Sequence, residues 1–436
     1  MVHVIGAGLA GCEATYQLAK AGIPVTLYEM KPKQFSPAHK YAGFAELVCS
    51  NSLKAKRVES AAGLLKAEME VFDSLLLRCA KQCEVPAGGA LAVDRYKLSD
   101  LVTQEIHALP QVTVVEGEVA QIPEEGYVIV ATGPLTSPAL SQAVRALVGS
   151  DYLSFHDAAA PIVTAASIDM EKAFFAARYG RGEPDYINCP MEKEEYEAFY
   201  DALIHAESVE LKAFEKQSFT VYEGCMPVEV MAKRGPDTLR FGPLKPVGLT
   251  DPRTQKRPYA VVQLRAENSE KSLYNLVGFQ TNLKFPEQKR VFSMIPGLSQ
   301  AEFVRYGVMH RNTFLDSPRL LDFAFRLKKE PRVFFAGQIT GVEGYTESAA
   351  SGILAGYYLA RQLQGKEVTP LPRETMLGSL TAYISDETVE HFQPMGANMG
   401  ILPGLPERIK NKQERYAVLA ERSLGILEAT VKEWSK

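Results

Sequence analysis

The ten residues Val2-His3-Val4-Ile5-Gly6-Ala7-Gly8-Leu9-Ala10-Gly11 constrain what this chain can fold into more than any other stretch. A short β-type run meets Gly-x-Gly-x-x-Gly, and an amphipathic pattern then runs through about Lys20. The spacing predicts a strand, a tight turn and a helix. Gly6 serves the turn, Gly8 lets the backbone approach a pyrophosphate, and Gly11 permits close helix–strand packing. The helix start offers N–H groups and a partial positive charge to phosphate, which brings Ala7, Leu9 and Ala10 into the candidate site. A second strand, Pro24-Val25-Thr26-Leu27-Tyr28, ends at Glu29, 18 residues past Gly11. That is close to the ~20-residue spacing at which an acid holds a ribose hydroxyl. Strand, glycines, helix and acid together predict a dinucleotide site, against the plainer reading of a glycine turn in an ordinary α/β sheet. The motif alone leaves both FAD and NAD open.

A chain of 436 residues has room for two to three domains. No apolar run approaches the ~18 residues that a membrane-spanning helix needs, and a first strand at Val2 leaves no place for a signal peptide. Six cysteines at irregular spacing fit reduced thiols better than a disulfide framework, so a cytoplasmic protein is expected. The net charge of −4 means that a nucleic-acid partner would have to be held by local basic patches. Such patches occur at Lys54/Lys56/Arg57, Arg253/Lys256/Arg257, Lys284/Lys289/Arg290 and Arg408/Lys410/Lys412/Arg415; each alone reads as a solvated face, and jointly they could track phosphates.

Beyond Glu29 the simple α/β pattern breaks into loops, then Cys49-Ser50-Asn51-Ser52. Small polar residues after Cys49 favour turns and helix caps, and a thiol beside helix-start N–H groups is activated; the bland alternative is a buried, inert cysteine. Residues 60–82 carry helical periodicity through Leu64, Leu65, Met69, Phe72, Leu75, Leu76 and Cys79, which predicts one helix. Cys79 and Cys83, spaced i, i+4 without further metal ligands, read as packing, as do Cys12 and Cys189, and no metal site is expected. Tyr127 to Val130 is a buried strand closing on Ala131-Thr132-Gly133. Strand followed by Ala-Thr-Gly resembles the second signature of two-dinucleotide-binding-domain flavoproteins and favours FAD over NAD.

Past residue 158 the pattern changes. A charged helix is predicted from about Met191 to Glu215, with strands around Phe219–Tyr222, Thr238–Phe241, Tyr259–Leu264 and Leu276–Phe279. The dinucleotide pattern resumes in the strand Arg332–Gly337, the loop Gln338–Glu343 and an Ala/Gly-rich helix over Ser348–Leu363. Flavoproteins of this class end so, with the helix start aimed at the flavin. Gln338 stands where many of them carry an acid. The expected architecture is an α/β, FAD-binding Rossmann-type domain in two parts, 1–158 and 311–436, with an inserted α+β substrate domain at 159–310 and a C-terminal helical tail. No second Gly-x-Gly-x-x-Gly is present, so a separate NAD(P)H-binding domain is not expected.

Several motifs in order resemble one family across nearly the whole chain: the folate- and FAD-dependent tRNA (uracil-5-)-methyltransferases, the TrmFO or Gid family. They are Gly6–Gly11, Cys49-Ser50-Asn51-Ser52-Leu53-Lys54, Ala87-Gly88-Gly89-Ala90-Leu91-Ala92-Val93-Asp94-Arg95, Ala131-Thr132-Gly133-Pro134-Leu135-Thr136 and Asn188-Cys189-Pro190-Met191. Further on come Cys225-Met226-Pro227-Val228-Glu229, Phe241 to Leu249, Gly307 to Thr313, and Gly341-Val342-Glu343-Gly344-Tyr345. A related, larger flavoprotein acts on the tRNA wobble uridine, but this chain is too short for it.

The resemblance implies C5 methylation of the T-loop uridine, position 54, of tRNA. The carbon would come from 5,10-methylenetetrahydrofolate, and the hydride from FAD that NAD(P)H has reduced. Uracil C5 is a poor nucleophile until a thiolate adds to C6, after which a base must remove the C5 proton. By resemblance Cys225 is the nucleophile and Cys49 the base. Lys245, His310 and Arg311 are candidate folate or RNA contacts, with the last two in a polar loop, and Tyr345 is a candidate for stacking on flavin or folate. The competing readings are a small-molecule flavin oxidoreductase of the same fold, the same chemistry on ribosomal RNA, and a non-enzymatic RNA-binding protein that kept the flavin fold.

Overall fold

The computed structural model describes residues 1–149, 152–209, 226–266, 271, 273–389, 392, 394–407 and 409–434, with 152–159, 304–305 and 308–313 as backbone. Val2–Ile5 is the central strand of a five-stranded parallel sheet, and its side chains, buried except for the half-buried His3, are covered on both faces. Val25–Glu29 and then Val112–Glu116 lie on one side of it, Tyr127–Val130 and then Val333–Phe335 on the other. The register pairs Val2 with both Val25 and Tyr127. Strand order therefore reverses at Val2–Ile5, and in such sheets the ligand crevice opens beyond the C-terminal ends of the strands at that reversal.

The first helix, Leu9–Lys20, covers one face and is itself covered by the helix Tyr345–Leu363. Two glycines make that crossing possible: a Cβ on Gly352 would lie 2.1 Å from the carbonyl oxygen of Ala10, and one on Gly356 would lie 2.7 Å from that of Ala14. Helix Pro138–Val148 covers the opposite face with Leu140, Val144 and Val148 against Val128, Val130 and Phe335. A sheet assembled from both ends of the sequence, with helices on both faces, is a Rossmann-type FAD fold.

Residues 60–82 form two helices rather than the predicted one, Ala61–Val71 and Leu75–Gln82. Asp73 between them has φ +59°, and the Ser74 hydroxyl accepts from the Leu77 N–H to start the second. The carboxylate of Glu13, buried in the first helix, accepts from the N–H groups of Leu75 and Leu76. Periodicity hid the break because both helices turn their apolar faces to the same core.

A second sheet of six strands has every neighbouring pair antiparallel. Its order is Phe174–Phe175, Ile187–Met191, Ala260–Ala266, Leu273–Leu276, Ile162–Thr164, Phe303–Arg305. Its core, from Met191, Tyr196, Phe199, Leu203, Leu264, Phe279 and Phe292, is distinct from that of the parallel sheet. The charged helix of this region ends at Ile204, short of the predicted Glu215, where Ser208 turns to bridge Leu283. Thr238–Phe241 is a single helical turn and not a strand, held by the Asp237 carbonyl and by Arg240 lying 3.6 Å over the Tyr259 ring. Phe219–Tyr222 lies outside the described residues. An antiparallel ribbon, Tyr152–Ala159 with Val308–Leu315, links the two sheets.

Candidate active site

A cavity of about 520 Å³ opens at the strand-order reversal. Gly6, with φ +99°, makes the turn that the glycine pattern predicted; a Cβ there would lie 2.8 Å from the Ala131 carbonyl oxygen. Gly11 is not on the cavity wall. A Cβ on it would lie 1.8 Å from the Gly6 carbonyl oxygen, so its part is helix-to-strand contact. Gly8 stands at the start of the first helix with only the Ala131 oxygen within 4.0 Å of where its Cβ would be, so any side chain there would fill the cavity. No side chain caps this helix, and Ala7, Leu9 and Ala10 line the wall, leaving first-turn N–H groups for an anion.

Glu29 is buried at the end of its strand. Its two carboxylate oxygens accept from the Ala7 and Lys31 N–H groups, each at 2.9 Å, and it also lines the cavity. Each oxygen keeps a second lone pair for a hydroxyl. Ala131, Thr132 and Gly133 form the opposite wall, with the Thr132 hydroxyl 2.6 Å from that of Thr136. These residues fit the adenosine and pyrophosphate portions of FAD.

Gly337, Gln338, Glu343, Gly344 and Tyr345 line the same cavity, Gly337 close against Ala10 of the first helix. The Gln338 amide donates to the Glu343 carboxylate at 3.1 and 3.2 Å, so an acid still faces this wall, delivered from five residues further on. Gly344 has φ +123° and precedes the helix, which begins at Tyr345 rather than Ser348. Gly341 and Val342 do not line the cavity. Gly341 turns the chain at φ +82° against Phe392, and Val342 is buried in the core and bridges Met395.

Cys49 also lines the cavity. The predicted helix start after it is absent: Ser50 and Asn51 lead into the strand Ser52–Ala55. A helix start meets the thiol from elsewhere in the chain, since Tyr345 opens its helix with its hydroxyl 2.8 Å from the Cys49 sulfur. That hydroxyl also accepts from the N–H groups of Cys49 at 2.7 Å and Ser50 at 3.2 Å. Burial, and then the neighbouring Cys49, push the Tyr345 phenol well above its ordinary range, so it stays a neutral proton donor. Lys54 and Glu347 form an ion pair of 2.8 Å at the same helix start.

The remaining described cysteines are buried away from this cavity. Burial pushes the Cys79 and Cys189 thiols up to about 12 and raises Cys12 and Cys83 as well, which fits packing. Cys225 lies outside the described residues. Lys245 is exposed and off the cavity. His310 and Arg311 belong to a strand, opposite Asp157 and His156, and not to a loop. Of the basic patches, Lys56 pairs with Glu84, Arg253 with Asp251, Lys284 with Glu207 and Arg290 with Glu287. No cluster of acids, histidines and cysteines suited to a metal occurs among the described residues. No helix among the described residues is long and apolar enough to cross a membrane.

Sequence reading missed Arg265. It sits in the strand Ala260–Ala266, lines the cavity and donates to Ser50 and Asn51. The available signal was a lone cation in the otherwise uncharged run Ala-Val-Val-Gln-Leu-Arg-Ala.

The family profile described as glucose inhibited division protein A matches residues 1–367. A protein of Acetivibrio thermocellus named methylenetetrahydrofolate--tRNA-(uracil-5-)-methyltransferase TrmFO is 59% identical over 434 residues, covering 100% of this chain and 99% of that protein. The chain belongs to the TrmFO family. The Enterococcus faecalis member of the family is 56% identical over 425 residues, covering 98% of this chain and 97% of its own. Among solved structures, Aquifex aeolicus GidA aligns with a TM-score of 0.70 at 17% identity over 99% of this chain and 78% of that one, a likeness of fold.

Proposed function

We propose that this chain is a folate-dependent tRNA (uracil-5-)-methyltransferase that methylates the T-loop uridine at position 54, with 5,10-methylenetetrahydrofolate as carbon donor. The observation that carries this reading is a cavity shaped for FAD that ends at a cysteine sulfur held by a tyrosine hydroxyl. Full-length identity to TrmFO enzymes supports the choice of substrate class. When bound, FAD supplies the reducing equivalents that turn a methylene into a methyl group, and NAD(P)H is the proposed source of those equivalents.

The chain's own residues would act as follows. Cys225 adds to uracil C6, which makes C5 nucleophilic. Cys49 takes the C5 proton, and the Tyr345 hydroxyl orients it. Both lone pairs of the Tyr345 oxygen are occupied by the amides of Cys49 and Ser50, so its own proton is directed at the sulfur. Lys245, His310 and Arg311 are proposed contacts to folate or RNA, and the basic patches proposed contacts to phosphate. The target uridine must leave its stack to reach the cavity. We assign residues 159–310 to a substrate domain inserted in the FAD domain, and the protein to the cytoplasm.

The test is a denaturing gel with T-arm RNA carrying 5-fluorouridine at the target. Fluorine cannot leave as a proton does, so an adduct that has reacted at C5 stays trapped. A stable complex with wild type that is lost on Cys225→Ala supports the reading. Absence of any complex with the complete reaction mixture, together with no methyl product on unmodified T-arm RNA, overturns it.

A further inference from the structure

Arg265 is 8% exposed in the strand Ala260–Ala266 of the six-stranded sheet. Its Nε donates to the Asn51 side-chain oxygen at 3.0 Å, and one terminal nitrogen donates to the Ser50 hydroxyl at 2.6 Å. Asn51 is itself fixed, donating to the carbonyls of Ala266 at 2.6 Å and Val93 at 3.1 Å. Both acceptors of the guanidinium are neutral, and no carboxylate among the described residues pairs with it. Three of its five N–H groups remain, and the side chain lines the cavity beside Cys49 and Ser50. A buried cation whose described partners are all neutral is costly, and negative charge arriving beside it lowers that cost. The start of the first helix lines the same cavity and is taken up by the pyrophosphate in the FAD reading, so this second positive site calls for a different acceptor.

We infer that Arg265 donates a hydrogen bond to O4 of the target pyrimidine and stabilises the charge that develops there. The inference rests on the methyltransferase reading above. In that reaction the proton leaves C5, and Cys49 is the group placed to take it. C5 is bonded to C4, so a ring with C5 at the Cys49 sulfur carries O4 toward a donor anchored on the next residue, Ser50. When a cysteine thiolate adds to C6, the carbon–sulfur bond forms and the C5–C6 π pair shifts into an enolate spread over C5 and O4. No proton moves to O4; Arg265 holds the charge by hydrogen bonding. C5 then attacks the methylene donor and loses its proton to the base. The attack returns O4 to a neutral carbonyl, removal of the C5 proton puts charge on O4 a second time, and that charge expels the folate nitrogen to leave an exocyclic methylene; a hydride from the reduced flavin would complete the methyl group, and elimination of the thiolate restores the ring. Stabilising an oxygen whose charge exists only during reaction is where a preorganised donor accelerates a step, by about 10²-fold or more.

The test uses holoenzyme and T-arm RNA tritiated at C5 of the target uridine, in the complete reaction under single turnover. Arg265→Gln should slow tritium release by about 10²-fold. Arg265→Lys, which keeps a cation in the site, should recover part of the rate. Flavin content, RNA affinity and flavin reduction by NAD(P)H should stay within about threefold. Replacing O4 by sulfur, a weaker acceptor, should slow wild type more than Arg265→Gln. Normal release by Arg265→Gln overturns the inference, as does loss of release that follows loss of flavin or RNA binding, or an equal oxygen-to-sulfur penalty in both proteins. If wild type itself releases no tritium, the methyltransferase reading falls and this inference with it.

Discussion

The hydroxyl of Tyr345 stands 2.8 Å from the sulfur of Cys49, joining residues 296 positions apart at one end of the cavity. One phenolic oxygen thereby fixes the Cys49 and Ser50 amides and the thiol together. Tyr345→Phe keeps the ring and leaves two inward N–H groups without their acceptor, each costing about 1–3 kcal/mol. Single-turnover methylation should fall by roughly 10- to 100-fold while flavin content holds. Unchanged methylation would remove the hydroxyl from the proposed mechanism.

Glu29 decides how firmly the cofactor is held. Its carboxylate orders the Ala7 and Lys31 N–H groups at 2.9 Å each, and Glu29→Ala orphans both. FAD affinity, read by fluorescence quenching on titration into apoprotein, should weaken by at least about tenfold. A wild-type dissociation constant in the variant would show that the acid has no part in cofactor binding.

Two glycines test packing against propensity. Glycine-to-alanine in a helix ordinarily gains up to about 1 kcal/mol. At Gly352 the new Cβ would lie 2.1 Å from the Ala10 oxygen, so the helices must separate and the substitution should destabilise by about 1–3 kcal/mol or more. At Gly425, in the helix Lys412–Trp434, nothing lies within 4 Å, and Gly425→Ala should stabilise. Thermal unfolding of the two variants should therefore shift in opposite directions.

Glu68 gives stability a pH dependence. Its buried carboxylate accepts from the Met376 and Leu377 N–H groups, both at 2.8 Å, and from the Ser423 hydroxyl, and burial pushes its pKa up to about 7 from 4.5. An acid raised in the folded state binds its proton more tightly there than in the unfolded chain. Its contribution is thus full below about pH 4.5, is lost as pH rises through about 7, and is flat above, at most about 3 kcal/mol in all. Glu13, also pushed up to about 7, acts in the same window. Denaturant unfolding at pH 5 and pH 8 should differ by less in Glu68→Gln than in wild type. An equal difference in both would assign the pH dependence to other groups.

Legibility followed sequence distance. Gly6, Gly8, Gly11 and Glu29 could be placed in advance because turn, helix start and strand end lie within one contiguous unit, and all fall where the spacing put them. The partner of Cys49 could not, because nothing near position 49 specifies a hydroxyl delivered by a helix beginning at 345. Arg265 escaped for the same reason: its anchors are 214 and 215 residues away. Local pattern also misjudged the break at Asp73, where a positive φ is set by the Ser74 cap and by Glu13 reaching across from another helix. Thr238–Phe241 has strand-like composition but pairs with no strand among the described residues, and its helical turn prevails.

The parallel sheet has a further consequence during synthesis. Strand Val333–Phe335 and helix Tyr345–Leu363 complete a sheet whose other strands end by Val130, more than two hundred residues earlier, and a cavity lined largely by those first 140 residues. A ribosome releases the six-stranded antiparallel sheet, whose core residues fall between Val163 and Ala301, before that last strand emerges. The nascent chain thus finishes its second core while its first is still open on one edge, and flavin capture becomes one of the last events in the making of each molecule.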